Sequence, residues 1–252
     1  MSLIYIDIET LPAIWMNCTE KLGYCYARRP KGMEDPERVA KWLNSPAAEE
    51  VWRRTALKPG YGVLYCLGMW RTGDDGPVVA IDENLHSLAG HHDCSARPEI
   101  ILDQLWAHWG WPDDDHPDRP ILVGKGIKRF DLPFLLTEAR RVDRYLLAKE
   151  LSKVQVIDLD DLWDPWGKSR LVSLDDMAAH VGADAKQMSG AQVYDQWQAG
   201  RFREIEEYCL GDVRTTRQIH LDLVGITAGR PPRNPSVPPL PEAVMHFLQE
   251  ST

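Results

Sequence analysis

The segment Leu3 to Glu9 alternates with period two, with Ile4, Ile6 and Ile8 on one side and Leu3, Tyr5, Asp7 and Glu9 on the other. This pattern predicts a strand. Three isoleucines at alternate positions commit one face to a hydrophobic core, and a one-residue slip would put every side chain on the wrong face, so the register is firmly specified. Asp7 and Glu9 then stand about 6.6 Å apart along the other face. Two like charges so placed repel, and a divalent cation that prefers hard oxygen ligands is the simplest relief. Taken alone, the pair fits an edge strand whose acids face water better than it fits a cation site. It needs partners from elsewhere in the chain.

The rest of the chain is long enough to surround such a strand. At 252 residues it should bury about 70–75% of its unfolded surface, enough for one large domain or one domain with an insertion. Apolar residues make up 44% and charged residues 27%, which excludes disordered and collagen-like classes. A net charge of −9 excludes long-range attraction to a polyanion, so nucleic-acid binding would have to be local or assisted by cations. Five cysteines without a Cys-x-x-Cys pair argue against a disulfide framework or a zinc ribbon, and for a reducing, cytoplasmic setting. The first residues lack a basic segment and no apolar run approaches membrane-spanning length, so a soluble chain without a membrane partner is expected.

Residues 11–59 interrupt the pattern with five prolines, yet Pro36 to Leu57 reads as helical, and the segment is expected to be an insertion. Val63–Trp70 and Pro77–Asp82 flank a turn-rich spacer and predict a hairpin. Helices are expected at Pro98–Gly110, Asp131–Leu147, after Ser173 up to Gly182, and at Arg201–Val224, with strands at Ile121–Gly124 and Val154–Ile157. Three strands followed by alternating helix and strand indicate an α/β sheet of mixed direction. Residues 229–252 read as a proline-rich extended tail ending in a short helix.

Further acids sit where these elements begin or run. Asp131 follows the Ile121–Gly124 strand and opens a helix, and Tyr208 and Asp212 share one face of the last helix at i,i+4 spacing. Alone, Asp131 fits a helix N-cap and the Tyr/Asp pair fits a solvated surface. Asp158, Asp160 and Asp161 fit capping of the helix that follows them. Gly124-Lys125-Gly126 is not a dinucleotide fingerprint, because Arg129 stands at the third glycine, and Gly167-Lys168-Ser169 is not a P-loop, because Leu162 stands at its first glycine. His91-His92-Asp93-Cys94 reads as a solvated loop, and His180 and His220 as ordinary helix residues.

In order along the chain, Ile6-Asp7-Ile8-Glu9-Thr10, Phe130-Asp131 and Tyr208-Cys209-Leu210-Gly211-Asp212 resemble the three motifs of the DEDD superfamily of 3′–5′ exonucleases. The Tyr four residues before the last Asp resembles the tyrosine branch. More closely, residues 1 to about 225 resemble bacterial and phage proteins described as predicted 3′–5′ exonucleases related to the proofreading domain of family B DNA polymerases. One departure stands out: the second motif usually carries an Asn shortly before Phe-Asp, and here Gly126 takes that place.

The resemblance implies a ribonuclease H-like fold over residues 1–228. It also implies two ions, Mg²⁺ or Mn²⁺, at Asp7, Glu9, Asp131 and Asp212, with Asp7 bridging both and Tyr208 orienting the attacking water. Two cations about 3.5–4 Å apart can both activate water and relieve charge on the leaving oxygen. Thr10 and Leu11 would then lie near the terminal nucleotide. Lys125, Lys128 and Arg129 offer phosphate contacts, while Trp15 or Tyr24 in the insertion offers a stacking surface. The expected activity is 3′–5′ removal of nucleotides from single-stranded DNA. The alternatives are an exoribonuclease and a catalytically weakened binding module of a replication or recombination assembly. The sequence leaves protein partners open.

Overall fold

The computed structural model describes residues 2–87, 98–110, 119–166, 172–183 and 188–225. The His91–Cys94 loop, Gly167–Ser169 and the proline-rich tail lie outside the described residues. In chain order the elements are β1 (Leu3–Leu11), α1 (Cys18–Tyr26), α2 (Pro36–Leu43), α3 (Pro46–Arg53), a 3-10 turn (Arg54–Leu57), β2 (Val63–Arg71), β3 (Val78–Ile81), α4 (Asn84–Ser87), α5 (Pro98–Trp109) and β4 (Ile121–Gly124). Then follow α6 (Asp131–Arg141), α7 (Tyr145–Leu151), β5 (Gln155–Asp158), α8 (Leu159–Trp163), α9 (Leu174–Val181), a 3-10 turn (Gly190–Gln192), α10 (Val193–Gln198) and α11 (Phe202–Leu223).

The five strands form one sheet in the order β3-β2-β1-β4-β5. β1 pairs antiparallel with β2 and parallel with β4, so the strand with the isoleucine alternation is central rather than at an edge. β2 and β3 form the expected hairpin, and β4 and β5 run parallel, joined through α6 and α7. This is the mixed, helix-flanked α/β sheet that the sequence led us to expect.

Each face of the sheet has its own core. Ile4, Ile6 and Ile8 pack with Leu67 and Met69 of β2 and with the apolar sides of α5, α6 and α7. On the opposite face, Tyr5 and Val123 meet α9 and α11. Toward the far end of that face, Leu11, Val63 and Cys66 pack with Trp52 of the insertion, Trp197 of α10 and Cys209 of α11. The insertion leaves the sheet at Leu11 and returns at Val63, and these two residues are themselves cross-strand partners.

Two helical expectations need correction, and one helix was not foreseen. The stretch Pro36–Leu57 is two α-helices and a 3-10 turn, because Pro46 lacks an N–H and holds Ser45 extended, which makes Ser45 the cap of a new helix. The stretch Asp131–Leu147 breaks at Asp143, which takes a left-handed φ of 57°, a conformation that Asp tolerates better than most residues. The helix α1 was not expected. It is opened by a capping box in which Asn17 accepts from the Glu20 N–H and Glu20 accepts from the Asn17 N–H.

Candidate metal and catalytic site

Asp7 and Glu9 emerge from β1 on the face covered by α11, and α11 brings Tyr208 and Asp212 to them from 200 residues away in sequence. One carboxylate oxygen from each of Asp7, Glu9 and Asp212 lies within 4.8 Å of the others. Glu9, Tyr208 and Asp212 are buried and Asp7 is half-buried. The Tyr208 hydroxyl hydrogen-bonds to Asp212. Burial, together with the charges of Glu9, Asp212 and Asp7, raises its pKa well above that of an ordinary tyrosine. In the metal-free protein it therefore keeps its proton.

Asp131 stands outside that triplet but next to it. It opens α6 and is buried, and its Oδ1 accepts the backbone N–H of Ile8, the residue between Asp7 and Glu9, at 3.2 Å. Asp131 therefore fills the edge of β1 beyond the last residue of β4. Burial, helped by the neighbouring Asp158 carboxylate, pushes its pKa up to about 7, against the pull of the Ile8 N–H and Lys125.

That shift has a defined sign for stability. Between about pH 4 and 7 the folded protein keeps a proton on Asp131 that the unfolded chain has released, so the group's contribution falls as pH rises through this window. His220 acts oppositely. Its buried ring, hydrogen-bonded to the Tyr5 hydroxyl at 3.0 Å, is held down to about pH 4 by burial, and stability is lost as pH falls from about 6.5 toward 4. Urea unfolding in EDTA at a series of pH values should therefore show the parent losing stability relative to Asp131→Asn as pH rises from 4 to 7. Parallel curves would refute it.

The close approach of α11 depends on a residue that the sequence reading passed over. Gly68 on β2 is the cross-strand partner of Asp7. A Cβ there would lie 2.8 Å from Val213 Cγ2 and 3.0 Å from Cys209 Sγ, both on α11. The Cys209 thiol donates to the Asp7 carbonyl at 3.4 Å, so helix and strand are in direct contact beside the acids. A lone glycine inside an apolar strand is the signal that could have exposed this, since it marks a place where another element comes close. The pairing of β1 with β2 also shifts register between Glu9 and Thr10, an irregularity of the kind that re-aims side chains beside sites.

The expected substrate contacts fare unevenly. Leu11 is fully buried, and its side chain packs in the core. Thr10 is buried and its hydroxyl donates to the Ala56 carbonyl at 2.7 Å, which ties β1 to the insertion. Lys125 and Arg129 pair with Asp160, and Lys128 pairs with Asp161 at 2.6 Å. A phosphate at these cations would have to displace an ion pair. Asp158 caps α8, as expected, but it also accepts from the N–H groups of Gly126 and Lys128, so it shapes the loop that leads into Asp131. Gly126 itself has a φ of 67°, in the left-handed region where Gly and Asn are the favoured residues.

Residues 148–229 match a family described as "Predicted 3'-5' exonuclease related to the exonuclease domain of PolB". The likeness to that family is thus shown for this stretch. It spans β5 and α8 through α11, including Tyr208 and Asp212, whereas Asp7, Glu9 and Asp131 precede it. No curated protein matches the chain. Among solved structures, the family B DNA polymerase from the hyperthermophilic archaeon Pyrobaculum calidifontis matches at 15% identity and a TM-score of 0.49, over 89% of this chain and 24% of the polymerase. The chain thus spans about a quarter of that polymerase's length. Among the described residues, no helix is long and apolar enough to cross a membrane.

Proposed function

We propose that the chain is a metal-dependent 3′–5′ exonuclease acting on single-stranded DNA. The observation that carries this reading is the convergence of Asp7, Glu9 and Asp212 within 4.8 Å, with the Tyr208 hydroxyl bonded to Asp212. A set of carboxylate oxygens this close suits Mg²⁺ or Mn²⁺, which take hard oxygen donors. Bound there, such ions would supply activated water and offset charge on the leaving oxygen. Asp7, Glu9 and Asp212 are the residues that would hold them, and Asp131 would complete the set from α6. Tyr208 would orient the attacking water through its hydroxyl.

The deciding assay uses oligonucleotides labelled at either end, with Mg²⁺, Mn²⁺ or EDTA. A 3′ label should be released at once as a mononucleotide, and a 5′-labelled strand should shorten stepwise, faster for single strands than for blunt duplexes. Release from the 5′ end, or activity that survives EDTA, would overturn the proposal. Matched RNA oligomers test the substrate class, with DNA expected to be cleaved faster.

Tyr208→Phe keeps the ring packed and removes only the hydroxyl. Its single-turnover rate should fall by about ten- to a hundredfold, while the thermal shift produced by Mn²⁺ stays near that of the parent. An unchanged single-turnover rate would make Tyr208 a packing residue.

A further inference from the structure

The cations nearest Asp131 are occupied by Asp160 and Asp161, so they are poor candidates for the phosphate contacts of a strand entering the site. The insertion offers a different set. The Lys58 ammonium donates to the Tyr24 hydroxyl at 3.0 Å. Arg28 lies over the Tyr24 ring and donates to the Tyr24 carbonyl. Arg29 lies over the Tyr26 ring and donates to the carbonyls of Met33 and Tyr26. Among the described residues, each of these three cations bonds to neutral oxygens and has no carboxylate partner, so its charge remains available to an anion.

Flat surfaces lie among them. Trp15, Tyr26 and Tyr61 are 43%, 47% and 38% exposed. The Trp15 indole N–H donates to the Tyr61 carbonyl at 2.8 Å, and Tyr61 meets Tyr24 edge-on, so Trp15, Tyr61, Tyr24, Lys58 and Arg28 form one connected group. The group adjoins the acids through the Thr10 bond to Ala56, two residues before Lys58, and through the Ala13 N–H, which donates to Thr55 Oγ1 at 2.7 Å. Exposed aromatic side chains beside cations that have no carboxylate partner are the chemistry that holds single-stranded nucleic acid, by stacking bases and neutralising phosphates.

We infer that this face of the insertion is the binding track for the single-stranded stretch that leads to the 3′ end at the acids. The inference rests on the exonuclease reading and assigns its strand path. On a chain of net charge −9, it is also where local attraction to a polyanion is available.

The test measures anisotropy of 5′-fluorescein oligothymidylates of four and twelve nucleotides with the full chain in EDTA. The variants are Trp15→Ala, Lys58→Gln and Lys58→Glu, with Lys153→Gln as a distant control. Thermal unfolding checks that each variant folds. The parent should bind the twelve-mer at least about tenfold more tightly than the four-mer. Trp15→Ala and Lys58→Glu should remove most of that gain, and Lys58→Gln should lower the logarithmic salt slope by about 0.7. Folded variants that bind the twelve-mer within twofold of the parent would overturn the track, as would a parent that binds neither oligomer. Cleavage assayed separately with Mn²⁺ distinguishes the two readings. Cleavage with variant-insensitive binding sinks the track alone, and variant-sensitive binding without cleavage sinks the exonuclease reading alone.

Discussion

Asp7→Ala should lower nuclease turnover by at least about 10³-fold, because metal-assisted hydrolysis derives several kcal/mol of transition-state stabilisation from ions that this carboxylate helps to hold. The fold should survive. Asp7 contributes one of three carboxylate oxygens that lie within 4.8 Å of one another, and removing it relieves repulsion in the metal-free protein, so stability in EDTA should be unchanged or higher. Mn²⁺ or Mg²⁺ should raise the melting temperature of the parent more than that of the variant, since a ligand stabilises only the state that binds it. A purified variant with activity within threefold of the parent would end the assignment of Asp7 as a metal ligand. Equal metal-induced shifts in the two proteins would count against it independently.

Gly68→Ala is also expected to lower activity, although the residue carries no reactive group. The added methyl would lie 2.8 Å from Val213 Cγ2 and 3.3 Å from the Cys209 carbonyl. Valine is stiff at χ1 and a helix backbone yields little, so α11 must move away from the sheet, and it carries Tyr208 and Asp212. Overpacking of this kind costs roughly 1–3 kcal/mol of stability. A displacement on the order of 1 Å costs about a hundredfold in rate. Adding Val213→Ala should restore part of both losses by removing the nearest atom. If Gly68→Ala keeps full stability and turnover, the helix is not held at contact distance by that glycine.

What could be read from the chain divides along physical lines. β1 was legible because strand periodicity is local and its isoleucines define the buried face. Tyr208 and Asp212 were legible as a pair because four residues make about one helical turn. The break at Asp143 was not, because it depends on one residue adopting a left-handed φ inside an otherwise helical pattern. The helix α1 has too few apolar residues in register to announce itself, and its signal is the Asn17–Glu20 capping box. The lone Gly68 marked a close approach, but that α11 is what crosses above it depends on tertiary structure that no spacing along β2 reveals. Lys125, Lys128 and Arg129 looked available because their acids, Asp160 and Asp161, lie more than thirty residues on and are brought back by the parallel pairing of β4 with β5.

The pairing of Leu11 with Val63 gives the insertion an unusual independence. Everything between them stands where a hairpin of this sheet would otherwise need only a short turn, so the two ends are already neighbours whatever the length of chain they connect. Loop closure between such ends depends only logarithmically on length. Length changes in the outer part of the segment, away from Trp52, Thr55 and Ala56 that pack on β1, would therefore leave the register of Asp7 and Glu9 in place. On the exonuclease reading, strand recognition by the insertion and bond cleavage at the acids would be carried by different parts of the chain.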